Sequence, residues 1–172
     1  HLAEGPGGFI EATAHIRQNP LDKYYGMTLL SPEDLNVPGW RKTNHFLENN
    51  KNVHIESGET KTGDLLSVDN LKYCIKKYGN SINIITADGG FDFSIDFNKQ
   101  ESLATNLLFA QVSFAISMQK TNGHFILKIF DIFTKTTSDI IYLLSTLYKQ
   151  VFIIKPNTSR LANSEKYIVC KY

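Results

Sequence analysis

Three ionisable residues interrupt apolar segments of this sequence, and their side chains are suited to acid–base chemistry. Asp88 follows the β-branched run 82–87, Lys128 stands inside the apolar run 126–130, and Glu165 comes just before the last apolar run. An ammonium on a buried strand must be paired, reach water or face a wet crevice, because an isolated buried charge is costly. Taken singly, Asp88 also fits a turn cap, Lys128 a lysine that reaches solvent, and Glu165 a solvated loop carboxylate.

A glycine-rich turn near the start of the chain is the second feature with chemical potential. It consists of Glu4, Gly5, Pro6, Gly7, Gly8 and Phe9. Glycines without a Cβ let the backbone approach a ligand closely, so a Cβ added at Gly7 is expected to occupy ligand space. The spacing is neither GxGxxG nor GxxxxGK[ST], which disfavours a nicotinamide-dependent enzyme and a nucleoside triphosphatase. A purely structural turn and a ligand-binding turn both remain open.

Other kinds of chemistry find little support in the residue pattern. The five histidines lack HExxH or paired spacing, and no serine lies in a GxSxG motif, so neither a metal site nor a hydrolase nucleophile is predicted. Cys74 and Cys170 lie far apart without metal-ligand spacing, which favours a reducing compartment. Eighteen basic against 17 acidic residues give a net charge of +1, so any contact with nucleic acid must be local.

The elements that must position these residues alternate between strands and helices. Helices are predicted at 9–18, 65–78, 100–120 and 136–148, and strands at 23–30, 52–56, 82–87, 124–130, 151–154 and 167–170. Leu103, Leu107, Ala110, Phe114 and Met118 are predicted to form one buried face of the long helix. This alternation over 172 residues indicates one α/β domain with a mostly parallel sheet, in which ligands bind at the carboxyl ends of the strands. No apolar run is long enough to cross a bilayer.

Taken together, five blocks resemble the FtsJ-like, RrmJ-type family of S-adenosylmethionine-dependent RNA ribose 2′-O-methyltransferases. They are residues 4–9, 63–64, 87–90, 123–130 and 155–167, and their order and spacing are more specific than any single block. Residues 25–29, 88–92 and 155–165 are most similar to the mRNA cap 2′-O-methyltransferase branch, which includes versions from large DNA viruses.

The resemblance implies a Rossmann-like methyltransferase sheet, mostly parallel with an antiparallel last strand, and a catalytic Lys-Asp-Lys-Glu tetrad. Asp88, Lys128 and Glu165 match three members of the tetrad. The first lysine belongs before the glycine turn, so we expect residues 1–172 to be an N-terminally truncated domain of a longer chain. By this interpretation the isolated piece is inactive.

The resemblance also implies where the cofactor lies. S-adenosylmethionine is expected against the glycine turn, from Glu4, Gly5 and Pro6 to Gly7, Gly8 and Phe9, with Asp64 near the adenine and Asp88 near the methionine part. Many methyltransferases hold the cofactor ribose with an acidic residue at the end of the second strand, where this chain has Gly26, Met27, Thr28 and Leu29. Either Thr28 or backbone groups take that role.

Methyl transfer from a sulfonium to a ribose hydroxyl is an in-line displacement that needs positioning and a weakened O–H bond, and no metal. Lys128 is expected to accept the 2′-hydroxyl proton or to orient that hydroxyl. Burial and a second cation favour a neutral amine, whereas Asp88 and Glu165 favour the ammonium. The carboxylates are therefore expected to orient Lys128 and the substrate.

The predicted partner is RNA, with capped mRNA the preferred substrate; ribosomal RNA and a catalytically inactive RNA-binding module are the alternatives. Protein partners are not predicted, and the expected location is cytoplasmic, or a viral factory or virion for a viral member. Trp40, Tyr24 and Phe91 could stack on bases or simply pack, and cationic side chains could hold phosphates or remain solvated. These cations are Arg41, Lys42, Lys61 and Arg160.

Overall fold

The computed structural model describes residues 1–31, 37, 39–40, 42–90, 100–160 and 162–172. Within these ranges, strands and helices alternate as the sequence predicts. The helices are α1 (Gly8–Arg17), α2 (Asn44–Asn49), α3 (Val68–Tyr78), α4 (Gln100–Met118) and α5 (Lys135–Leu147). The strands are β1 (Tyr24–Met27), β2 (Val53–Glu56), β3 (Ile82–Ala87), β4 (Gln119–Ile129), β5 (Gln150–Ile154) and β6 (Lys166–Lys171).

The strands form a two-stranded and a four-stranded part of the sheet, and Leu2 joins them. The two-stranded part is the parallel pair β1–β2, and the four-stranded part has the order β3-β4-β6-β5. Leu2 makes parallel bridges to Met27 of β1 and Ala87 of β3, so its segment fills the place of a strand between the two parts. β3 and β4 are parallel, whereas β6 runs antiparallel to both β4 and β5. The predicted α/β fold, mostly parallel with an antiparallel last strand, is confirmed.

The main core lies between one face of the sheet and helices α3, α4 and α5. β4 alternates strictly there: Phe125, Leu127 and Ile129 are buried in this core, while Ile126 and Lys128 point to the other face. Along this one strand, alternate residues therefore either pack in the core or point to the face on which Lys128 lies.

A smaller core covers β1 on the opposite face, beside α1 and α2. Its buried members are Ile10, Tyr24 and Trp40, packed against Phe46 and Leu47 of α2. Of the two alternatives for Tyr24 and Trp40, stacking on bases or packing, the structure therefore shows packing inside the protein. Phe91, the third stacking candidate, lies outside the described residues.

The buried face of α4 matches the predicted one in part. Phe114 and Met118 are buried as predicted, and Leu107 and Ala110 pack partly buried against the core, whereas Leu103 is 56% exposed. Leu108, Val112 and Ala115 are buried in addition. α4 is apolar on nearly all sides, so hydrophobic spacing alone does not select the face that meets the sheet. Helix α2 was not predicted either, because its six mostly polar residues carry no apolar periodicity. No helix in the described part of the chain is long and apolar enough to span a bilayer.

Candidate active site

The turn after β3 fixes the backbone at Asp88. The Asp88 N–H donates to the carbonyl of Leu2 at 3.2 Å, which extends the strand pairing past the end of β3. The next amide, Gly89 N–H, donates to the side-chain oxygen of Gln111 on α4 at 2.8 Å. Two backbone hydrogen bonds, one to Leu2 and one to Gln111, therefore fix the turn that carries the Asp88 carboxylate at the carboxyl edge of the sheet.

Lys128 reaches Asp88 from the neighbouring strand. Its Nζ lies 3.1 Å from Asp88 Oδ1, and only 15% of the lysine side chain is exposed. The ring of Phe130, two residues further along the chain, lies 5.9 Å from the same ammonium. The side chain thus ends at an ion pair in a crevice.

Tyr167 completes this cluster and was not predicted as a site residue. It lies directly opposite Lys128 in the β4–β6 ladder, and its hydroxyl donates to Asp88 Oδ1 at 3.0 Å. Burial and the negative charges of Asp88 and Glu165 raise the pKa of the phenol well above its usual range, so the hydroxyl keeps its proton. The cross-strand register is the signal that places it here, and sequence alone does not give that register.

Glu165 is brought to the same place by the loop between β5 and β6. Lys155, at the start of this loop, donates from Nζ to the carbonyl oxygens of Asn163 at 2.9 Å and Glu165 at 3.0 Å. The same ammonium lies 2.8 Å from Asn163 Oδ1 and 3.3 Å from Ser159 Oγ. The hydrogen bonds of Lys155 therefore connect the start of the loop to its end, next to Tyr167 in the sequence.

A single cleft of about 1340 Å³ contains all three residues of the predicted catalytic set. Ligand sites for one drug-sized molecule typically measure roughly 300–1,000 Å³, so this cleft has room for a cofactor and a substrate nucleotide together. Among the predicted cofactor contacts, the lining includes Gly5, Phe9, Thr28, Asp64 and Asp88. Arg160 also lines the cleft.

Four of the predicted cofactor contacts are not among the lining residues: Glu4, Pro6, Gly7 and Gly8. Glu4 is 3% exposed, and its Oε1 accepts the N–H of Ile10 at 2.8 Å at the start of α1. Its other oxygen has no hydrogen-bond partner in the described structure, and burial raises its pKa to about 7. Gly7 adopts φ +116°, and a Cβ there would come within 2.6 Å of Thr43 Cγ2. The expectation that this Cβ would meet the ligand is therefore wrong, because it meets Thr43.

Close backbone packing shapes the cleft beside Thr28. A Cβ at Gly63 would lie 1.9 Å from the Thr28 carbonyl oxygen, and one at Gly5 would lie 2.8 Å from Thr28 Oγ1. Gly63 also has φ +66°, a conformation that favours glycine. The next residue, Asp64, accepts the N–H of Leu66 through Oδ1 at 2.8 Å, which orients its carboxylate at the cleft wall.

The predicted phosphate-binding cations are dispersed. Lys42 and Lys61 are exposed, and the Lys61 ammonium lies 5.6 Å from the ring of Tyr73. Neither lysine lines the cleft, in contrast to Arg160. Arg41 lies outside the described residues. Among the predicted cations in the described residues, Arg160 is thus the one that lines the cleft together with Asp88, Lys128 and Glu165.

Comparison with known proteins agrees with this fold and shows the family. The family model described as FtsJ-like methyltransferase matches residues 1–172, and the chain belongs to that family. The cap-specific mRNA (nucleoside-2′-O-)-methyltransferase 1 of Ailuropoda melanoleuca is 36% identical over 175 residues, and that of Homo sapiens is 35% identical over 176. Each alignment covers 99% of this chain and 21% of the relative, so the chain spans about a fifth of the length of these proteins.

A solved structure supports the fold independently. The crystal structure of a ribosomal RNA methyltransferase from Plasmodium falciparum superposes with a TM-score of 0.62. The match covers 99% of this chain and 82% of that one, at 19% sequence identity. At this identity the likeness establishes the arrangement of strands and helices.

Proposed function

We propose that this domain transfers a methyl group from S-adenosylmethionine to a ribose 2′-hydroxyl of RNA, at the cap-proximal nucleotide of mRNA. The observation that carries the proposal is the Lys128–Asp88–Tyr167 cluster, which shares one cleft with Glu165 and with the glycine turn. Family membership and relatives named as cap-specific mRNA 2′-O-methyltransferases support both the reaction and the substrate.

The cleft suits the proposed cofactor in shape and in charge. At the turn, Gly5 contributes backbone without a side chain and Phe9 contributes an apolar ring, while Asp64 and Asp88 place carboxylates at two points of the lining. Asp64 would hold the adenosine part, and Asp88 the cationic methionine part, with which a carboxylate pairs favourably. S-adenosylmethionine supplies an electrophilic methyl group on a sulfonium. Thr28 and the backbone beside it are the groups within the cleft that would hold the ribose.

The chain's own residues would then prepare the nucleophile. Lys128 Nζ would contact the 2′-hydroxyl and take or orient its proton, while Asp88 and Tyr167 hold the amine in place. Glu165 would orient the substrate ribose from the β5–β6 loop. Fixing the hydroxyl in line with the sulfonium is the main contribution, because displacement reactions depend strongly on the geometry of approach.

A cellular location belongs to this proposal as well. A cytoplasmic location is proposed because Cys74 and Cys170 are free thiols in the fold. Viral origin, with a viral factory or virion as the location, remains a prediction from the sequence.

Methyl transfer from labelled S-adenosylmethionine tests the proposal. Capped mRNA, the same RNA without a cap, and ribosomal RNA are each offered to the chain and to a longer protein that contains it. We expect label on the ribose of the cap-proximal nucleotide of capped RNA. Label on ribosomal RNA alone would favour the alternative substrate, and cofactor binding without transfer to any RNA in either form would contradict the enzymatic proposal.

A further inference from the structure

Gln111 is a fully buried polar residue in an almost uncharged helix, and the proposed chemistry leaves it without a function. It is 1% exposed among the apolar residues of α4, where Leu108, Val112 and Ala115 are also buried. Burying an amide is unfavourable unless it is hydrogen-bonded, so a residue of this type needs a specific partner in the core.

The partner of Gln111 is the turn that carries Asp88. Gln111 Oε1 accepts the N–H of Gly89 at 2.8 Å, and this hydrogen bond is buried. A Cβ at position 89 would lie 2.5 Å from the same oxygen, so the close approach of the amide requires glycine there. Gln111 and Gly89 are thus fitted to each other although 22 residues separate them.

We infer that Gln111 is a positioning residue for Asp88 in the methyl-transfer reaction, an inference that rests on the proposed function. Leu2 holds the Asp88 amide from the sheet side, and Gln111 holds the Gly89 amide from the helix side. Together they fix the backbone from which the Asp88 carboxylate reaches Lys128 and Tyr167. Gln111 acts through Asp88, and its own atoms do not line the large cleft.

Gln111→Met tests this inference, because methionine fills a similar volume and offers no comparable acceptor. We expect kcat to fall at least about tenfold, since small displacements of catalytic groups cost up to roughly 10²-fold in rate. The KM for S-adenosylmethionine should change much less. The Gly89 amide proton should exchange faster with solvent in the variant, because it has lost its acceptor.

Met118→Ala is the matched control on the same helix. Met118 is buried near the other end of α4, so its truncation lowers stability without touching the turn. This control should keep wild-type kcat and slow Gly89 exchange at a comparable melting temperature. If Met118→Ala loses as much kcat as Gln111→Met, the Gln111 effect is general destabilisation and the inference is overturned.

Gly89→Ala provides a second route that leaves the core of α4 intact. The added methyl would lie 2.5 Å from Gln111 Oε1, so the turn or the end of the Gln111 side chain must move and the hydrogen bond to the Gly89 amide is disturbed. We expect kcat to fall about tenfold or more again, and unchanged kcat would overturn the inference. The Gly89 exchange measurement does not need activity. Inactivity of the wild-type longer protein that contains this chain would refute the proposed function, while unchanged exchange in Gln111→Met would refute the positioning contact by itself.

Discussion

At the scale of single residues, Tyr167 on β6 connects the proposed catalytic carboxylate of Asp88 to the sheet. Its hydroxyl shares Asp88 Oδ1 with the Lys128 ammonium, and its ring lies 6.0 Å from that of Phe9 at the glycine turn. One side chain therefore contacts both the proposed proton-handling cluster and the proposed cofactor wall.

Tyr167→Phe should lower kcat about tenfold while the domain remains folded, because the ring stays and only the hydrogen bond to Asp88 is lost. Steady-state kinetics with saturating cofactor measures the effect. Tyr142→Phe on the exposed surface of α5 is the control and should keep full activity. Equal kcat values for Tyr167→Phe and the wild type would show that the hydrogen bond from the Tyr167 hydroxyl to Asp88 does not contribute to the reaction.

Glu4 gives the fold a pH dependence that can be measured. Burial raises its folded-state pKa from 4.5 to about 7, and the Asp88 carboxylate acts in the same direction. The Ile10 N–H and the amino group of His1 favour the charged form and act against this rise. The folded state therefore binds the extra proton between these values, and the contribution of Glu4 to stability is lost as pH rises from 4.5 through 7.

Glu4→Gln should remove this contribution while keeping an acceptor for the Ile10 N–H. Urea unfolding at pH 5 and pH 8 is expected to show the variant gaining stability relative to the wild type at the higher pH. The difference between the two proteins is the quantity to follow, because it isolates the contribution of Glu4. The same difference at both pH values would show that Glu4 does not titrate in this range.

At the scale of elements, strands were predicted more reliably than the contacts between them. The apolar run 82–87 matches β3 because a buried parallel strand needs continuous β-branched and apolar residues. The sequence also indicated Asp88, Lys128 and Glu165, because charges beside apolar strands are conspicuous. The sequence does not predict Tyr167 or Gln111 as site residues. The position of Tyr167 depends on the strand register, and that of Gln111 depends on which face of α4 meets the sheet.

The β5–β6 loop is an element whose shape depends on one lysine. Lys155→Met should loosen residues 156–165, so we expect a higher KM for RNA and a lower kcat with little change in cofactor affinity. Lys149→Met, just before β5, is the control for loss of a lysine charge. Kinetics at varied RNA concentration, together with limited proteolysis in the loop, measures the effect. If the variant is cut no faster than the control, Lys155 does not organise the loop.

An ion pair between a buried carboxylate and a half-exposed lysine joins β2 to α3. Glu56 lies 2.7 Å from the Lys77 ammonium and also accepts the Tyr78 hydroxyl, and these contacts hold its pKa below the usual range despite burial. The stabilisation is therefore present above pH 4.5 and is lost as pH falls through the lower folded-state pKa. Lys77→Met should destabilise the fold by about 1 kcal/mol, a figure reduced because the lysine is half exposed. Denaturant unfolding measures this loss of stability, with Lys76→Met, which removes an exposed neighbouring lysine, as the control.

At the scale of the whole molecule, the cleft couples cofactor binding to stability. S-adenosylmethionine at 100 times its dissociation constant should stabilise the folded domain by about 2.7 kcal/mol through mass action. Asp64→Ala should reduce the resulting rise in melting temperature, whereas Asp69→Ala on the exposed side of α3 should not. A folded wild type whose melting temperature does not respond to millimolar cofactor would contradict the cofactor assignment.

The measurement that tests the central claim most directly is methyl transfer by Lys128→Ala in the longer protein that contains this chain, compared with the affinity of the same variant for S-adenosylmethionine. The lysine is assigned to the ribose hydroxyl and the glycine turn to the cofactor, so turnover should fall by roughly 10² or more while cofactor affinity stays nearly unchanged. Lys128→Arg should not restore activity, because a guanidinium keeps its proton and its planar shape differs from a compact amine. Lys135→Ala on exposed α5 serves as the control. Retention of more than about a tenth of wild-type turnover by Lys128→Ala would contradict the catalytic assignment.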